Sequence, residues 1–315
     1  MSGTSAVVVF GSINMDLSVA CDRMPQAGET IAGAGFFAAP GGKGANQAVA
    51  AARLGASTQL IGAVGTDAFG EELVGGLESA GVGCRHVAAR SDAPTGTATI
   101  LRCAGDNRIV LSPGANTALS AAEAVSALDA IVPDIDPATS VLVAQGECDL
   151  AATEVVLIAA HERGMRTLFN PAPACRLSAR GWAAVDLLCL NETECAEIAG
   201  VLPTDDATIA QACTALSELG VGEVVVTLGG AGSAAFSQGR VFRVAARPAQ
   251  VVDTTAAGDT FIGALAAGMT EGRTLAESME LGSQAAALCV GRLGAQPAIP
   301  LRAEVDAAMV AGMGC

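Results

Sequence analysis

The sequence predicts an α/β protein: a central, mostly parallel sheet flanked by helices, with a smaller β-sheet standing apart. Three observations carry this. Continuous apolar, β-branched runs such as Ala6-Val7-Val8-Val9-Phe10 recur, and such runs are strands buried on both faces. Helical patterns alternate with them through most of the 315 residues. Two stretches, 17–40 and 95–111, break the alternation with strand-like segments that have no helix between them.

The first strand, 6–10, ends at Gly11-Ser12-Ile13-Asn14-Met15-Asp16. Polar residues past the carboxyl end of a buried parallel strand lie where open α/β sheets bind ligands. Asn14 and Asp16 are two apart and face one way on an extended backbone. They suit a pair of sugar hydroxyls, or they belong to an ordinary polar loop. Residues 17–40, with Pro25, Gly28, Gly33 and Gly35, read as short flap-like strands outside the main sheet. Pro40-Gly41-Gly42-Lys43-Gly44-Ala45-Asn46-Gln47 leads into a helix patterned over 48–54. Its glycines bring backbone close to a ligand, and Lys43 and Asn46 converge at a spacing of three; a solvated lysine in a flexible loop is the alternative. The stretch is not a Walker A loop, because G-x-x-x-x-G-K-[ST] is absent.

Further along, 58–63 is a strand, 65–70 a turn and 71–80 a helix. Strands at 95–103 and 108–111 flank the turn Gly105-Asp106-Asn107 and join 17–40 in the small sheet. Helix 120–131 carries Ser120 and Glu123 at capping-box spacing. Strand 140–144 ends at Gln145-Gly146-Glu147, and helix 152–163 leads to strand 167–169, which ends at Asn170-Pro171-Ala172-Pro173. Strand 185–190 ends at Asn191-Glu192-Thr193-Glu194; helix 206–219 leads to strand 223–228, which ends at Gly229-Gly230. Strand ends thus gather Glu147, Asn191, Glu194, Thr227 and Gly229 at one edge with Asn14. Asn191 and Glu194 open a helix at i, i+3, a pairing suited to water-bridged Mg²⁺ and phosphate oxygens; singly, Glu194 reads as a first-turn helix acid.

The most informative stretch is Val252-Asp253-Thr254-Thr255-Ala256-Ala257-Gly258-Asp259. Residues 250–252 read as a strand end, and Phe261, Ile262, Leu265, Ala266 and Met269 are spaced as one helix face. Gly258 allows backbone angles and a close approach that a side chain would block. The first amides of a helix lack partners and form an anion site. Asp259 sits inside it. Alone it reads as a helix cap; beside an anion cradle it suits a base that takes a hydroxyl proton during phosphoryl transfer.

Composition sets the limits. Seventeen basic against thirty-two acidic residues give a net charge of −15, which argues against nucleic-acid and anionic-membrane partners. The ten cysteines show no C-x-x-C pair and read as small buried apolar groups in a reducing cytoplasm rather than a disulfide or zinc framework. The start of the chain lacks the basic segment of a signal peptide, and no run of 18 apolar residues appears. His86 and His161 fall outside every motif, and Trp182 reads as packing.

Six motifs together resemble the ribokinase-like (PfkB) carbohydrate kinase family: those at 11–16, 41–47, 170–173, 191–194, 227–229 and 253–259, in order and nearly end to end. The resemblance implies a three-layer α/β/α domain with a small β-sheet lid, a single domain over 1–315 with its core at roughly 1–14, 40–92 and 112–315 and its lid at 15–39 and 93–111. It implies a cytoplasmic, ATP-dependent kinase acting on the 5-hydroxyl of D-ribose and dimerising through the lid. It assigns Asp259 as base, with the Ala256, Ala257, Gly258 and Asp259 amides as anion hole. Asn14, Asp16, Gly42, Lys43, Asn46 and Glu147 match sugar positions; Asn191, Thr227, Gly229, Gly258 and Ser283 match the ATP side; Glu194 matches a water-mediated Mg²⁺ position. Asp253, Thr255, Cys289, Arg292 and Gly294 match a K⁺ site formed largely by backbone carbonyls. One departure stands out: Ala298 follows Gly294-Ala295-Gln296-Pro297 where the family often has serine, so one hydroxyl ligand is missing. A kinase for 2-deoxyribose, another pentose or a nucleoside is the near alternative, and a non-catalytic sugar sensor on the same fold the distant one. A nicotinamide-dependent oxidoreductase lacks its G-x-G-x-x-G after the first strand.

Overall fold

The computed structural model of the chain describes residues 3–103 and 106–312. From the amino end it builds β1 (Ala6–Phe10), β2 (Asn14–Cys21), β3 (Ala34–Gly41), α1 (Lys43–Arg53), β4 (Ser57–Gly65), α2 (Ala68–Ser79) and β5 (Val82–Arg90). Then come β6 (Gly96–Cys103), β7 (Asp106–Ser112), α3 (Ala121–Ile131), β8 (Val141–Gln145), α4 (Leu150–Glu162), β9 (Arg166–Asn170), α5 (Ala179–Ala183), β10 (Leu187–Asn191) and α6 (Glu192–Ala199). The last part holds α7 (Asp206–Ser217), β11 (Glu223–Thr227), β12 (Ser233–Ser237), β13 (Arg240–Val244), α8 (Ala257–Thr270), α9 (Leu275–Cys289) and α10 (Arg302–Gly312).

Nine strands form one sheet in the order β13-β12-β11-β10-β9-β8-β1-β4-β5. Every pair from β11 to β5 is parallel, so seven carboxyl ends share one edge; β12 and β13 add an antiparallel hairpin. The core lies on both faces. In β1, Ala6, Val8 and Phe10 pack with α3, α4, α6 and α7, while Val7 and Val9 pack with α1, α2 and α8. The layers are therefore helix, sheet, helix, and each fully buried large apolar side chain contributes roughly 1.5–3 kcal/mol. The second sheet has the order β3-β2-β6-β7 and joins the two stretches that broke the alternation.

The structure differs from the sequence expectations at identifiable places. β5, β12, β13, α5, α9 and α10 were not anticipated. Helix α1 starts at Lys43 rather than 48, and α2 at Ala68 rather than 71, capped by the Asp67 side chain on Gly70 N. Residues 250–252 belong to no strand, and Val251 and Val252 are exposed. Their chain is held instead by the Val252 and Asp253 amides donating to the Val290 carbonyl. Gly105 of the expected turn lies outside the described residues. Nine cysteines are described and none is disulfide-bonded, but only five are buried; Cys21, Cys103, Cys148 and Cys175 are half-buried. Trp182 is buried edge-on against Phe169, and His161 is exposed beside Asp186.

Candidate active site

Helix α1 begins inside the glycine stretch because its first amides find distant acceptors. Lys43 N donates to Glu147 Oε2 (3.1 Å), Gly44 N to Ser12 Oγ (3.3 Å) and Ala45 N to the Ser12 carbonyl (2.8 Å). Ser12 Oγ donates to the same Glu147 oxygen at 2.6 Å. The glycines bring the backbone against the β1 exit loop rather than against open space. Gly42 has φ 91°, and a Cβ there would sit 2.8 Å from Asn14 N; one on Gly44 would sit 2.4 Å from the Gly11 carbonyl carbon. Glu147, expected to face the sugar, thus spends one carboxylate oxygen anchoring α1.

The early start puts Lys43, Asn46 and Gln47 on one helix face, at i, i+3 and i+4. Asn46 Nδ2 donates to Asp259 Oδ2 (2.9 Å) and Gln47 Nε2 to Asp259 Oδ1 (3.0 Å). Gln47 is itself fixed: its Oε1 accepts from Gln145 Nε2 (2.8 Å), and its Nε2 also reaches Asn170 Oδ1 (3.2 Å). Sequence reasoning did not place Gln47, Gln145 or Asn170 in the site. A signal existed for Gln47, one turn beyond Lys43; Gln145 and Asn170 each end a buried parallel strand. Asn116 was also missed. It is buried, its Oδ1 accepts from Ile13 N (2.8 Å), and its Nδ2 donates to Asn14 Oδ1 (2.7 Å), leaving the Asn14 amide free to donate. It lies in a short turn outside every motif.

Asp16 lies over Gly41, where a Cβ would meet its carboxylate at 2.2 Å. Burial first, then the charges of Glu147 and Asp259, push its carboxyl up to about 7. The native state therefore holds a proton that the unfolded chain releases near 3.8, so this group's contribution to stability falls as pH rises from there through about 7. Ligand affinity should move the other way. A carboxylate accepts two hydroxyl hydrogen bonds better than a carboxylic acid does, so sugar affinity should rise with pH through about 7. Isothermal titration across that range should show the slope in the parent and not in Asp16→Asn. Lys43 opposes this acidic cluster. Burial lowers its pKa, but Asp259, Glu147 and Glu194 outweigh burial and hold the ammonium above its usual range.

At the start of α8, strain sits at Ala256 rather than at Gly258. Ala256 has φ 58° in the left-handed region, whereas Gly258 is helical and a Cβ on it would meet nothing within 4 Å. Among the described residues the amides of Ala256, Gly258 and Asp259 have no acceptor, while Ala257 N donates to the Thr254 carbonyl at 3.2 Å. The expected cradle of four amides is therefore three. Asn191 and Glu194 form a capping box: Asn191 Oδ1 accepts from Glu194 N (2.9 Å) and Glu194 Oε2 from Asn191 N (3.0 Å). One oxygen of Glu194 and the amide of Asn191 remain for a ligand.

Two cavities meet here. One of about 230 Å³ is lined by Lys43, Asn191, Glu194, Thr227, Asp259 and the 256–258 turn. The other, about 810 Å³, is lined by Gly229, Ser233, Arg247 and Ser283 among others, and shares Asn191, Thr227, Thr254, Ala257 and Gly258 with the first. Asp16, Asn46 and Glu147 line neither cavity but are tied to the smaller one through Asp259 and Lys43; Asn14 lines neither and sits opposite Gly41, held by Asn116. The five residues expected around potassium form a separate cluster behind the turn. Asp253 Oδ1 accepts from Thr255 N (2.9 Å) and Oγ1 (2.6 Å), its Oδ2 accepts from Gly294 N (2.9 Å), and Cys289 Sγ lies 3.8 Å from the Thr255 carbonyl. Burial raises the Asp253 carboxyl, but these bonds win and hold it below its usual range. The Arg292 guanidinium turns away to pair with Glu304.

An acid held by two amides at a helix start, facing a lysine beside a roomy second cavity, defines a small-molecule phosphotransferase on a parallel α/β sheet. The chain belongs to the pfkB family of carbohydrate kinases, whose model matches residues 4–302. It is 39% identical over 311 residues to the ribokinase of Schizosaccharomyces pombe, covering 95% of this chain and 96% of that one. It is 36% identical over 311 residues to the ribokinase of Mus musculus, covering 97% and 95%. Among solved structures it is similar to Arabidopsis thaliana ribokinase complexed with ribose and ATP (TM-score 0.89, 33% identity, 98% of each chain). Ribokinase from Giardia lamblia gives a TM-score of 0.87 at 30% identity, covering 98% of this chain and 99% of that one.

Proposed function

We propose that this chain transfers the γ-phosphoryl group of ATP to the 5-hydroxyl of D-ribose. The observation that carries the reading is the position of Asp259, held by Asn46 and Gln47 in one cavity with Lys43 and the unpartnered amides of the 256–258 turn. Asp259 takes the hydroxyl proton as the sugar oxygen bonds to phosphorus and the bond to the β-phosphate breaks, releasing ADP. The Ala256, Gly258 and Asp259 amides and Lys43 stabilise the charge on the transferring group. Asn14, Asp16, Gly42, Asn46 and Glu147 bind the sugar, and Asn191, Thr227, Gly229 and Ser283 serve the nucleotide. The likeness to relatives named ribokinase over nearly the whole chain supports ribose as acceptor.

The remaining parts of the proposal rest on donor chemistry and surface. Glu194, with one oxygen free, suits a water-mediated Mg²⁺, which would neutralise phosphate charge. The Asp253 carboxylate and the nearby carbonyls suit K⁺, with Ala298 supplying no hydroxyl. The small sheet exposes Phe36, Ile109 and Val110, an apolar surface that a second copy would cover in a homodimer. Nine described thiols without a disulfide among them suit a cytoplasmic setting; no helix of the described residues is long and apolar enough to cross a membrane. A phosphorylation assay with ATP across ribose, 2-deoxyribose, other pentoses and adenosine, with and without potassium, tests the reading. Ribose should give the highest kcat/KM; steady turnover with a nucleoside alone would overturn it.

A further inference from the structure

We propose that Arg247 contacts the nucleobase of the phosphoryl donor and sets its affinity, a reading that rests on the larger cavity being the nucleotide site. That cavity has two distinguishable ends. Asn191, Thr227, Ala257 and Gly258 also line the smaller cavity and mark the end where phosphate is transferred. Residues 246–249, Ala286 and Ala287 line the larger one alone and mark its other end, whereas Ser233 stands opposite Thr227 on the paired strand. The far walls are mostly apolar, as a base requires, but Phe261 is the only aromatic residue lining the cavity among the described residues. The polar contacts to the edge of a base have to come from the walls themselves.

Arg247 fits that need on three counts. It is the only cationic residue among those lining the cavity, and it forms no ion pair among the described residues. Its Nε is buried and has no hydrogen-bond acceptor in the protein. Buried donors without acceptors are rare enough in folded proteins to call for an absent partner. Ser233 Oγ, on the same cavity, is likewise buried without a partner. An unsatisfied Arg247 donor beside apolar walls matches a ligand that is flat, apolar in its faces and polar at its edge. A purine has ring-nitrogen acceptors around its edge that an in-plane guanidinium N–H can reach. Pro248, adjacent in sequence, extends the same wall.

The test uses full-length Arg247→Ala and Arg247→Lys, with ADP and tripolyphosphate as probes that differ in carrying a base. Arg247→Ala should weaken ADP binding by roughly tenfold or more, while tripolyphosphate binding and the KM for ribose stay within about twofold. Arg247→Lys keeps the charge but loses the planar fork, and should resemble Arg247→Ala toward ADP. Unchanged ADP affinity in Arg247→Ala overturns the proposal. So does an equal loss for tripolyphosphate, or full recovery by lysine, since either makes Arg247 a phosphate-attracting charge. A parent protein that binds ribose but neither probe overturns the nucleotide reading of the cavity itself.

Discussion

Asp259→Asn is expected to lower kcat by roughly 10²–10⁴-fold, the scale of a lost general base, while ribose and ADP still bind. The local hydrogen bonds explain why binding should survive. Asp259 accepts from Asn46 Nδ2 and from Gln47 Nε2. An amide at 259 can accept from only one of them. Gln47 cannot turn over, because its Oε1 is already occupied by Gln145. Asn46 can, because its Oδ1 has no partner among the described residues. The new amide would then accept from Gln47 and donate to a reversed Asn46, and the site keeps its shape without its base. Asp259→Ala differs: it strands both donors and should also lower unfolding stability, by about 1–3 kcal/mol. Steady-state kinetics, calorimetric titration with ribose and thermal melts separate the two variants. Turnover in Asp259→Asn within about twofold of the parent would remove this acid from the chemistry.

The same network shows what the sequence could reveal. Central strands were legible because burial on both faces demands continuous apolar runs, as in β1 and β11. The edge strand β5 was not, because an edge strand needs no such run and Val82-Gly83-Cys84-Arg85-His86 is mixed; β12 is paired on both sides but is built of small residues, Ser233-Ala234-Ala235, that carry little apolar signal. The start of α1 was hidden for a different reason. Its amides are capped by Ser12 and Glu147, 32 and 104 residues away from their donors, and no local cap marks the boundary. Motif residues in strand-end loops were therefore visible as types, whereas the supports behind them were not. Gln145, Asn170 and Asn116 act across gaps of 98 to 123 residues, and only the folded chain brings those partners together.

Gly263→Val should damage stability and activity together, because one contact serves both. A Cβ at 263 would lie 2.4 Å from Ala50 Cβ, 2.6 Å from the Gln47 carbonyl oxygen and 2.9 Å from Ala51 N. These are mostly backbone atoms of α1, so no side chain can swing aside; α1 and α8 have to separate. Overpacking of this kind costs roughly 1–3 kcal/mol. Gly263 stands one turn beyond Asp259 on α8, and the atoms it meets stand on the turn of α1 that carries Asn46 and Gln47. The wedge therefore widens the gap that those two amides bridge to the carboxylate, and a misplacement of about 1 Å at reacting groups can cost about 100-fold in rate. Gly76→Ala is the control. It lies exposed in α2, its Cβ would meet nothing within 4 Å, and the helix should gain roughly 0.5–1 kcal/mol. If Gly263→Val melts with the parent and keeps its kcat/KM, then α1 and α8 are free to slide, and the close packing of these helices is not what sets the position of Asp259.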